Sequence, residues 1–118
     1  MIFEIVSWGA SSSDFDSFNE SKQQNGFCFQ IEFDVASNNE EGVLQYSFLY
    51  ADKAGLLDYI DKNSYKGFLI LENCLIVEKY SLSSLQNYIW DDINNSLSKL
   101  TTWKELLSFL DKHFSEIE

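Results

Sequence analysis

His113 is the only histidine in this 118-residue chain, and arginine is absent. One imidazole cannot supply a paired-histidine acid–base mechanism or the two zinc ligands of an HExxH helix. Its place near the end of a helical stretch suits it instead to interact with the helix dipole. The other residues with chemical potential are carboxylates: Asp14, Asp16 and Glu20, then Glu40-Glu41, then Asp91-Asp92. Each group could hold Mg²⁺ or Ca²⁺, but none matches the twelve-residue calcium loop. Adjacent acids on a helix point about 100° apart, so Asp91 and Asp92 do not converge by spacing alone. A solvated acidic surface is the plainer reading. Five glycines form no phosphate-cradling loop. Cys28 and Cys74 sit in apolar, strand-like runs without CxxC or Cys/His spacing, which reads as two reduced, packed thiols. No catalytic residue, metal or cofactor is expected.

Charge points to binding. Nineteen acids against eight lysines leave a net charge of −11. Such a surface repels phosphate backbones and anionic lipid and speeds encounter with cationic surfaces. The expected partner-binding residues are therefore Asp14, Asp16 and Glu20 in a polar stretch, Glu40 and Glu41 at a turn, and Trp90 with Asp91 and Asp92. Trp90 falls at the edge of an apolar helical stripe, where a tryptophan either anchors a partner or closes the core. Phe109 sits off its stripe in the same way, with the same two readings. No nucleic-acid or membrane partner is expected.

These residues need a scaffold, and the length suits one domain. An apolar share of 45%, with ten Phe, six Tyr and three Trp, supports a packed core rather than disorder. No run approaches the roughly 20 apolar residues of a membrane span. Met1-Ile2-Phe3-Glu4 has no basic region before an apolar run, so a cytoplasmic location is the expectation.

Residues 2–8 read as a strand. Residues 9–26 read as a polar loop, with one helical turn over 14–20 pinned by Phe15 and Phe18. Phe27, Phe29, Ile31, Phe33 and Val35 alternate with polar residues, then Leu44, Tyr46, Phe48 and Tyr50 do the same. Turn residues Asn38-Asn39-Glu40-Glu41-Gly42 join them into a long antiparallel hairpin with one buried face and one solvated face. Asp52 is placed to cap a short helix with Leu56, Leu57 and Ile60 inward. The runs 68–71 and 74–77 read as central strands buried on both faces, with a turn or bulge at Glu72-Asn73. Leu82, Leu85, Ile89, Ile93, Leu97 and Leu100 form one helical stripe. Thr102 and Glu105 form a capping box for a last helix with Trp103, Leu106, Leu107, Leu110 and Phe114 inward. The class is α+β: an antiparallel sheet of three to five strands with two or three helices, the longest C-terminal on one face.

The order of several stretches from about Gly26 to Glu118 carries a resemblance. They are Phe27-Cys28-Phe29-Gln30-Ile31, Phe48-Leu49-Tyr50 leading to Gly55-Leu56-Leu57, and Leu75-Ile76-Val77-Glu78-Lys79-Tyr80. Trp103-Lys104-Glu105-Leu106-Leu107, Phe114 and a closing Glu116 or Glu118 complete them. In this order the chain resembles the immunity protein 8 family of bacterial polymorphic toxin systems. The resemblance implies a small α+β protein, encoded beside a toxin, that binds the toxin's C-terminal domain and blocks it in the producing cell. It also implies a role in contact-dependent growth inhibition. Many such toxin domains are nucleases, and nucleases tend to be basic because they hold phosphates. Two other functions are set against this one. An acidic mimic of nucleic acid would bind several unrelated basic proteins. A metal-dependent hydrolase would be stabilised by Mg²⁺ or Ca²⁺. A monomer or weak homodimer is expected, since an open hairpin edge could pair with the toxin or with a second copy.

Overall fold

The computed structural model describes residues 1–21, 24–63 and 73–117. Its elements run β1 (Phe3–Ala10), α1 (Asp14–Glu20), β2 (Cys28–Ser37), β3 (Leu44–Ala51), α2 (Lys53–Asn63) and β4 (Cys74–Ile76). A continuous helix α3 follows over 82–97, then α4 (Trp103–His113) and β5 (Ser115–Glu116). The expected strand 68–71 and Glu72 of the expected turn lie outside the described residues. The class is α+β, with an open, mainly antiparallel sheet and the longer helices C-terminal.

The hairpin forms in the register that the alternation dictates. Ile31 pairs with Phe48 and Phe33 with Tyr46, so the large apolar residues of both strands share one face. Gly42 adopts a φ of +94° at the tip, a conformation open to glycine. β1 adds antiparallel to β2, and its register shifts between Ile5 and Ser7. That bulge at Val6 transfers the inward set from Phe3 and Ile5 to Trp8 and Ala10, because side chains alternate with period two.

The far side of β3 is shared. Tyr46 and Ser47 pair with β5, antiparallel, while Leu49, Tyr50 and Ala51 pair with β4, parallel. A parallel pair needs a crossover connection, and α2 lies within it. Among the described residues β4 is thus an edge strand, with Cys74 and Leu75 half-buried and Ile76 exposed, rather than buried on both faces. Continuous apolar character misleads here because a three-residue strand cannot reveal a period. Cys28 and Cys74 flank β3 on opposite sides and form no disulfide.

One core lies between the sheet and α1, α3 and α4. Phe3, Ile5, Ile31, Phe33, Tyr46, Phe48 and Tyr50 meet Leu85, Ile89, Ile93, Leu97, Leu106, Leu110 and Phe114. The α3 positions recur every four residues, and in a regular α-helix each such step overshoots a turn by about 40°. A π-helical segment, Tyr88–Ile93, widens the turn and keeps Ile89, Ile93 and Leu97 facing the sheet. In α2, Leu57 is exposed rather than inward, because Gly55 is the position turned to the interior and Leu57 lies on the opposite side. Leu107 is likewise exposed on α4. No helix among the described residues is long and apolar enough to cross a membrane.

Candidate functional site

All eight expected partner-binding residues are exposed, but they do not form one site. Asp14, Asp16 and Glu20 project from α1. Its other side is held by Phe15 and Phe18, whose rings contact Phe29 at 5.2 and 5.1 Å. Tyr80 fastens the same helix, donating from its hydroxyl to Asn19 Oδ1 at 2.6 Å. This group therefore sits at the start of β2. Glu40 and Glu41 sit past its other end, in the hairpin turn, beside a cleft of about 180 Å³ that Trp103 helps to line. A ten-residue strand separates the two groups by about 30 Å.

Trp90, Asp91 and Asp92 occupy the π-helical segment on the helical layer. Trp90 is 40% exposed, so it borders the core without entering it. Phe109 is half-buried against the core, with its ring 6.1 Å from Phe114. The structure gives it the packing role.

Between the π-helical segment and α4 lies a cleft of about 430 Å³, with Tyr88, Asp92 and Ser96 on one wall and Phe109, Lys112 and His113 on the other. It holds a serine, a histidine and an acid, yet not as a relay. Ser96 Oγ donates to the backbone oxygen of Asp92, and the imidazole lies against the Phe109 ring at 4.9 Å. Burial, reinforced by the charge of Asp92, pushes the Tyr88 hydroxyl pKa up, so that hydroxyl stays protonated. Among the described residues, no three His, Cys, Asp or Glu side chains gather to hold a metal.

A different surface emerges from the strands. α1, α3 and α4 cover one face of the sheet, and on β1 and β2 the opposite face is polar. Glu4, Glu32 and Asp34 project from it, with Ser7 Oγ donating to Asp34 Oδ2 at 2.7 Å. A Cβ placed on Gly9, which pairs with Glu32, would meet nothing within 4 Å. Towards β4 the face closes, where Ser47, Leu49 and Ala51 are buried. Reading the sequence for acidic clusters passed over this surface. The signal was present in the alternation of β2, whose even positions carry Gln30, Glu32 and Asp34.

The chain matches the family model for immunity protein 8 over residues 3–116, nearly its whole length. It belongs to the immunity protein 8 family. No curated protein and no solved structure matches it as a relative. The match also takes in β1 and α1, which lie ahead of the stretches that carried the resemblance.

Proposed function

We propose that this immunity protein binds the C-terminal domain of a cognate toxin in the cytoplasm of the producing cell and neutralises it by covering its surface. The observation that carries this reading is the family match over residues 3–116. The charge of −11 supports the finer part, a basic toxin domain of the nuclease type. Asp14, Asp16, Glu20, Glu40, Glu41, Asp91 and Asp92 contribute to the field that draws such a surface in, and Trp90 offers an aromatic contact at its rim. The protein acts as an inhibitor and not as an enzyme, within a contact-dependent growth inhibition system. Like charge on two copies opposes self-association, which favours a monomer.

The test is co-expression with the toxin domain encoded beside this chain. Growth should be restored, and a complex of the two should purify from the cells. Cells that die as fast with the protein as without it would overturn the proposal. Capture of several unrelated basic proteins would mark it instead as a nucleic-acid mimic.

A further inference from the structure

We infer that the polar face of β1 and β2 is where the cationic toxin domain docks, with Glu32 and Asp34 at the centre of the contact. This rests on the function proposed above and adds the place of binding. Among the described residues, α1, α3 and α4 pack on the other face, and none of them lies against the polar face of β1 and β2. Every charged residue of β1, β2 and β3, namely Glu4, Glu32 and Asp34, projects from this side, and these strands contain no lysine. The described lysines, Lys53, Lys62, Lys79, Lys99, Lys104 and Lys112, lie on helices and loops. Among the described residues the one ion pair joins Lys62 to Asp58 on α2.

Glu4 is exposed, and Glu32 and Asp34 are half-buried among their strand neighbours. Glu32 lies between Gly9 and Ser47, and Asp34 between Ser7 and Gln45, so its neighbours are small or polar. The two carboxylates stand about 6–7 Å apart along one strand. Like charges so placed repel each other, and a cationic surface relieves that repulsion. The same charge turns away a second copy of this face and any nucleic acid. β2 is held by a strand on each side, so the acids are presented in a fixed geometry and little order is lost on binding. The other acid groups, on α1, at the hairpin tip and on α3, act from the periphery.

The experiment uses the adjacent toxin domain, inactivated by mutation and immobilised, against the full-length protein. Glu32→Lys/Asp34→Lys is compared with Asp91→Lys/Asp92→Lys. Both pairs change the net charge by the same amount, so long-range attraction is matched and only the place differs. The sheet pair should raise Kd about 100-fold or more, mainly through faster dissociation, and the helix pair about tenfold or less, mainly through slower association. Glu4→Lys/Glu32→Lys, which spares the bond between Ser7 and Asp34, should weaken binding at least tenfold while melting like the wild type. Equal losses from the sheet and helix pairs, or a larger loss from the helix pair, would overturn the docking face and leave the inhibitory function standing. Failure of the wild-type protein to bind would overturn the function itself.

Discussion

Gly55, in the first turn of α2, abuts the backbone of Phe27 so closely that no Cβ fits between them. This contact brings the crossover helix against the start of β2, where Phe27 joins the aromatic cluster of Phe18, Tyr50 and Tyr80. Alanine in place of a helical glycine ordinarily gains up to about 1 kcal/mol. Here Gly55→Ala should instead cost about 1–3 kcal/mol, because a strand backbone has to move. Urea unfolding would show a lower midpoint with an unchanged slope.

Asp52 secures the same junction. Its Oδ1 accepts from the amides of Gly55 at 2.8 Å and Phe27 at 3.1 Å, and its Oδ2 from Gly26 at 2.7 Å. The side chain is buried, so its three bonds are shielded from water. Asp52→Asn turns one acceptor into a donor facing an N–H and removes the charge. A loss of about 2–3 kcal/mol is expected. Calorimetry should register it as a fall of about 10 °C in Tm.

The start of α4 is sensitive to acid. Glu105 Oε1 accepts from the amides of Thr101 and Thr102 at 3.1 and 3.2 Å, while Thr102 Oγ1 accepts from the Glu105 amide at 3.2 Å. The bonds from Thr101 hold the Glu105 carboxyl below its usual 4.5. A depressed folded value means the cap contributes fully above the unfolded pKa and loses its contribution as pH falls through the folded one. Wild type should therefore exceed Glu105→Gln in urea midpoint at pH 7, and the gap should narrow towards pH 3. A gap independent of pH would contradict this account.

At the alkaline end the sign reverses. The Tyr46 hydroxyl donates to Asp111 Oδ1 at 2.8 Å, and burial, with that bond, pushes its pKa far above the usual 10.0. A raised folded value keeps its contribution intact below about pH 10 and removes it at higher pH, where the unfolded chain ionises first. Tyr46→Phe should cost about 1 kcal/mol at pH 7. It should also lose less stability than wild type between pH 9 and 11, as followed by circular dichroism.

Association with the toxin should depend on salt. Exposed charges more than about 10 Å apart are screened at 0.1 M ionic strength. Stopped-flow association rates should fall at least tenfold between low and high salt, with dissociation changing less. A rate indifferent to salt would remove electrostatic steering from the mechanism.

Period and local chemistry made much of this protein legible without a structure. The two-residue alternation of β2 and β3 set their register, since a slip by one would have put Phe33 and Phe48 in water. The Thr102–Glu105 box marked the start of α4, and Asp52 the cap of α2, because these signals act within a few residues. Charge and the lack of a catalytic set pointed to recognition. Tertiary structure decided what no local signal encodes. It placed β4 parallel to β3 and turned Leu57 outward. It also dispersed Asp14, Glu40 and Asp91 to separate places and set Glu32 and Asp34 together on the face of the sheet away from α1, α3 and α4. Pairing partners and layer coverage depend on contacts between distant segments, and an acid on a strand has the same pattern whether or not another layer comes to lie over it.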